Sequence, residues 1–184
     1  LGLIFYLISI YNKLISLKNR VDNGWAQIDV QLQRRYDLIP NLVETAKGYM
    51  KHEKETLKMV IDARNSANDA AKVASGNPSD QNAIKDLQAS EQKLQGAMMS
   101  FQALAESYPD LKANTNMLAL QEELATTENK VGFSRQAFND AVMQYNTGIE
   151  VFPNSLIANQ FKFTQATEWQ IEDQAAKKNV KVTF

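Results

Sequence analysis

Apolar residues recur every seven positions through the early part of the chain. Trp25, Leu32, Ile39 and Ala46 form one series, continued by Glu53 and Val60. Leu14, Val21, Ile28, Arg35, Leu42, Tyr49 and Ala63 follow a second. An offset of three or four residues places both series on one stripe of a helix. The pattern predicts a single first helix running from the chain start to about Ala74. Pro40 lies inside it and cannot donate to the Tyr36 carbonyl, so a helix kink is expected there; the heptads on both sides argue against a stop.

Gly76-Asn77-Pro78-Ser79-Asp80 is the clearest break, with Gly76 suited to ending a helix and Asn77-Pro78 to starting one. Asp80 is favourable near the positive end of the new helix dipole. A second helix then steps through Ile84, Leu87, Glu91, Leu94, Met98, Phe101, Ala105 and Tyr108. Pro109 closes it and Asp110 is a plausible cap for a third, whose stripe runs from Met117 to Phe152. A fourth, less regular helix carries Leu156, Ile157, Phe161, Phe163 and Trp169. The expected fold is all-α, an up-and-down antiparallel bundle of four helices built on one long, Pro-kinked N-terminal helix. Residues 12–177 form that bundle; 178–184, whose residues alternate without a partner strand, form an extended tail.

Helix lengths then disagree. At ~1.5 Å per residue the first helix reaches ~105 Å and the second only ~40 Å. Either the second and third helices make one long return arm, or the stripe near the chain start meets other copies of the protein. A bare Trp and Leu stripe in water is an association site. Trp25, Ile28, Leu32, Ile39 and Leu42 are therefore the candidate self-association face.

Composition narrows the chemistry. Lys plus Arg is 20 and Asp plus Glu 21, a net charge of −1, which gives no global pull toward nucleic acid. With no Cys, disulfides, thiolate metal sites and a thiol nucleophile are excluded together. Residues 1–11, LGLIFYLISIY, are uncharged and almost wholly apolar, yet a membrane-spanning helix needs ~20 such residues. The run reads best as the C-terminal part of a transmembrane helix; a buried helix or a trimmed signal sequence is the alternative. No small-residue cleavage site follows it, and it joins the heptads without a loop. Lys13, Lys18 and Arg20 against Asp22 place the folded part on the cytoplasmic side by the positive-inside rule.

No catalytic constellation is assembled. His52 is the only histidine, and no Gly-x-Ser-x-Gly, phosphate-binding glycine loop or Glu-x-x-His appears. The chain is expected to be non-enzymatic, with no cofactor or metal. Polar residues on the apolar stripes carry the remaining interest. Arg35, Glu44, Glu128 and Arg135 either make ordinary surface pairs, each worth ~0.2–1 kcal/mol, or join as a partly buried network that fixes helix register. Met98, Met99 and Phe101 fit core packing better than a ligand groove.

The order of motifs resembles the LemA family of bacterial membrane-anchored proteins. Tyr11-Asn12, Trp25, Gln27-Ile28-Asp29, Gln31-Leu32 and the run Arg34-Arg35-x-Asp37-Leu38-Ile39-Pro40-Asn41-Leu42-Val43-Glu44 carry the likeness, with Gly48-Tyr49 and His52-Glu53. Tyr108-Pro109-x-Leu111-Lys112-Ala113, Leu120-Gln121, Thr127-Glu128, Arg135, Tyr145-Asn146 and Phe152-Pro153 extend it to about residue 165. The tail departs, with no proline before Val182-Thr183-Phe184. The resemblance implies one N-terminal membrane helix, a helical bundle and no established enzymatic activity. A self-associating, single-pass scaffold or adaptor for other membrane proteins of the bacterial cell membrane is the first functional expectation. The alternative is a membrane-anchored sensor that binds a small ligand or peptide between helices, which requires a cavity near Arg35 and Glu128.

Overall fold

The computed structural model describes residues 1–170, and within them the chain is all-α. The expected extended tail, and the stretch from 171 before it, lie outside the described residues. Helix α1 spans Gly2–Lys47, α2 Lys54–Gly76, α3 Gln81–Ala105, α4 Pro109–Lys112, α5 Thr115–Glu150 and α6 Asn154–Gln160. The long helices α1, α2, α3 and α5 alternate in direction. Asp80 caps α3 by accepting from the Asn82 and Ala83 amides, and Asn114 caps α5 through the Met117 amide. These replace Asn77 and Asp110 as the starting signals read from the sequence.

The single first helix to Ala74 is corrected by a reversal between Lys47 and Lys54. Met50 plugs this turn and is fully buried, so the apolar phase survives a change of direction. Helix α2 returns along α1, and the Trp25 indole donates to Ser75 Oγ at 3.0 Å. Pro40 sits inside α1, which continues past it to Lys47. The Tyr36 carbonyl that Pro40 cannot satisfy accepts instead from Arg64 Nε of α2 at 2.7 Å. An orphaned backbone acceptor thus becomes the pin that sets α2 on α1.

That return overturns the candidate self-association face. Trp25, Ile28, Leu32, Ile39 and Leu42 are all at most 2% exposed within one chain. Helix α5, 36 residues long, covers α1 from the other side. Two glycines allow its close approach. A Cβ on Gly24 would stand 3.1 Å from Phe138 Cα, and one on Gly148 would stand 2.5 Å from Leu17 Cδ1. Trp25 packs edge-on to Phe138 and tilted against Trp169, at centroid distances of 5.6 and 5.8 Å. The stripe is internal core.

The expected fourth helix shrinks to α6, and Trp169 belongs to a non-helical segment that follows it. No helix among the described residues is long and apolar enough to cross a membrane. The first nine residues of the chain are nevertheless exposed, including Leu3, Ile4, Phe5 and Ile8, whereas burial begins at Ile10.

Candidate functional site

Helix α3 packs on α2 and α5 packs on α1, so α3 and α5 face each other across a groove floored by α1. The cavity holds roughly 310 Å³ and is lined by Arg35, Ile39 and Leu42 from α1, Gln88 to Gln102 from α3, and Gln121 to Val131 from α5. Trp169 and Gln170 close one end. Its lining from Gln88 to Gln102 covers about 21 Å of helix at ~1.5 Å per residue. That is an elongated site.

Its polar centre is a partly buried cluster. Arg35 Nη1 donates to Glu128 Oε2 at 2.7 Å, and Arg35 Nη2 is in ion-pair contact with Glu91. The Tyr36 hydroxyl donates to the same Glu91 carboxylate. Arg35 and Glu91 side chains are only 13% and 12% exposed. Burial pushes the Tyr36 phenol up to about 12, against the opposing pull of the Arg35 charge. Arg35 Nε is buried and has no hydrogen-bond partner among the described residues, leaving one donor of the cluster open.

The network read from the sequence is thus brought together only in part. Arg35 and Glu128 meet. Glu44 is exposed and pairs with Lys47 at 2.7 Å. Arg135 is half-buried on α5, and no ion pair forms to it among the described residues. Glu91 and Tyr36 were missed as members, although Glu91 stands at an apolar position of its helix stripe, which was the available signal. His52 is exposed in the turn between α1 and α2, and no cluster of three or more metal-ligating side chains forms among the described residues.

A ladder of side-chain amides, invisible in the helical periodicity, runs along the groove. After α6 the chain runs back up between α3 and α5 without helix. Asn146 Nδ2 donates to the Ala166 carbonyl and its Oδ1 accepts from the Ala166 amide, both at 2.9 Å. Asn139 repeats this clamp on Trp169, at 3.1 and 2.8 Å. From the other wall, Gln81 donates to the Gln165 carbonyl at 3.2 Å and Gln88 to the Glu168 carbonyl at 3.1 Å. Seven helical residues advance ~10.5 Å and three extended residues ~10 Å. One rung every heptad therefore meets one rung every third residue of the segment.

The α3 rungs continue at Gln95 and Gln102, which line the groove and whose side-chain amides have no hydrogen-bond partner among the described residues. On α5 the next heptad positions after Asn146 and Asn139 are Gly132 and Ala125. Among the described residues nothing lies within 4 Å of a Cβ built on Gly132. Within them the clamp stops at Asn139.

Comparison with known proteins agrees with the motif order. The LemA family model matches residues 24–184. The chain belongs to the LemA family. It is similar to the protein LemA of Metamycoplasma hominis, 23% identical over 172 residues, covering 92% of this chain and 74% of that relative. Within this LemA-family fold the match takes in every residue of the groove, its ladder and its Arg35 cluster.

Proposed function

We propose that this chain is a non-enzymatic adaptor, held at a membrane by the apolar start of α1, that docks an extended peptide of another protein in the α3–α5 groove. The observation that carries this reading is the half-used ladder. The groove already grips one extended strand, residues 164–170, through side-chain amides, and the same spacing of glutamines continues past it. Gln95 and Gln102 offer amide donors to peptide carbonyls. The half-exposed Glu128 carboxylate, held by Arg35, offers charge recognition at the wall, and Met98 and Met99 provide adaptable apolar contact. An elongated, open groove suits a peptide better than a compact metabolite. Since the Trp25–Leu42 stripe is buried, adaptor action runs through the groove and not through pairing of that stripe.

A random peptide-display library panned against the full chain tests it. Enriched sequences are expected to share a three-residue period, like Ala166 and Trp169. Replacing Gln95 or Gln102 by Ala should each cut capture about five-fold, the worth of one amide–carbonyl bond at about 1 kcal/mol. Enrichment of nothing, or of peptides indifferent to both substitutions, sinks the reading.

A further inference from the structure

The end of the bundle opposite the α1–α2 turn carries an apolar corner that the groove does not use. Phe152 is 80% exposed, Leu156 61% and Phe161 57%, with Val151 also exposed beside them. A large hydrophobic surface left in water on one corner marks an interaction site. Its position is fixed by Tyr11, whose ring lies 4.7 Å from the Phe161 ring and 5.9 Å from the Phe163 ring. The corner therefore stands at the level where α1 emerges from the bundle, just past the exposed run Leu3 to Ile8. Two apolar surfaces from distant parts of the chain share one end of the molecule.

Among the described residues, the charge at this corner that has no ion-pair or hydrogen-bond partner is basic. Lys162 and Lys18 line a shared cleft with Tyr11 and Phe161. Asp80 is the acid in that cleft and is occupied in capping α3, while Glu150 nearby accepts from Gln165. Lys162 also holds a φ of 56° at the end of α6, where the Phe163 amide closes back on the Ala158 carbonyl at 2.9 Å. Glycine is the usual residue in that left-handed cap position, and a side chain there costs ~1 kcal/mol. A lysine stands where the fold alone favours glycine.

We propose that this corner is a foot that lies in the headgroup layer of an anionic bilayer, with Phe152, Leu156 and Phe161 inserted and Lys162 and Lys18 on the lipid phosphates. The hydrocarbon side chains of Phe152, Leu156 and Phe161 suit the acyl boundary of that layer, and each lysine lays an apolar stem beside them with its charged end at the phosphates. The foot shares with the adaptor reading only the membrane location. It would hold the bundle at a fixed tilt, where an anchor at α1 alone would let it swing.

The absence of native cysteine makes a direct test possible. The full chain carrying Val151→Cys, Phe5→Cys or His52→Cys is labelled with an environment-sensitive dye and mixed with vesicles of phosphatidylcholine and phosphatidylglycerol. Labels at 151 and 5 are expected to blue-shift and to be quenched by shallow spin-labelled lipid, while that at 52 stays in water. Label 5 protected with label 151 in water overturns the foot and leaves the anchor standing; neither protected overturns both. Lys162→Gly supplies a second arm. It should fold as well or better yet partition about five-fold less onto these vesicles, the worth of one lysine near an anionic surface, with no change on pure phosphatidylcholine. Equal partitioning of the two proteins would reduce Lys162 to a structural cap and contradict its lipid role.

Discussion

The two halves of the α3–α5 groove are built on the same helices with the same heptad spacing, and among the described residues only one is filled. In the filled half, Asn139 and Asn146 on α5 oppose Gln81 and Gln88 on α3, so the strand between them is clamped from both sides. In the open half, α3 continues with glutamine, but α5 offers Gly132 and Ala125. An amide that both donates and accepts fixes a backbone position in two bonds. A glutamine facing a small residue holds loosely and leaves room for side chains. The difference lies between a closed structural joint and a docking channel made from the same repeat.

Emptying the filled half should have the largest effect. Trp169→Ala removes a buried ring packed on Trp25 and should cost about 3–5 kcal/mol of stability, read by denaturant unfolding. A loss under 1 kcal/mol would mean that the strand is not part of the core. The next effect concerns the floor of the open half. The Tyr36 phenol is raised to about 12 by burial, so the folded state holds its proton more tightly than the unfolded chain. Stability from this group is complete below pH 10 and is lost as pH rises toward 12, a fall of about 2–3 kcal/mol. Tyr36→Phe should flatten that alkaline limb; an unchanged limb would show that another group carries it. Asn139→Ala takes one clamp from the filled half and should cost about 1–2 kcal/mol, with hydrogen exchange at the Trp169 amide accelerated and α5 intact.

Much of the fold was legible because burial on a helix has a period. The stripes of α1, α3 and α5 came through as heptads, and Arg35 with Glu128 stood out as charges at apolar positions. The reversal after Lys47 was hidden because Glu53 and Val60 continue the phase of α1 across a turn. Periodicity reports which face is buried, not in which direction the helix runs. Consequently the Trp25 stripe reads as a face for a second copy, whereas α2 and α5 of the same chain cover it. Arg64 gave no signal of its own, since its partner is a carbonyl orphaned by Pro40 on another helix. The ladder was illegible for a related reason. Asparagines and glutamines seven apart look like a solvated helix face until a strand with a three-residue period is laid against them.

The most direct measurement is the side-chain amide NMR spectrum of the full chain, with and without a peptide selected on it. Gln95 and Gln102 should shift on titration while Gln81 and Gln88, already bonded to residues 165 and 168, stay in place. Shifts at neither open rung, or Gln95 and Gln102 amides already protected from solvent before any peptide is added, would contradict an open docking channel.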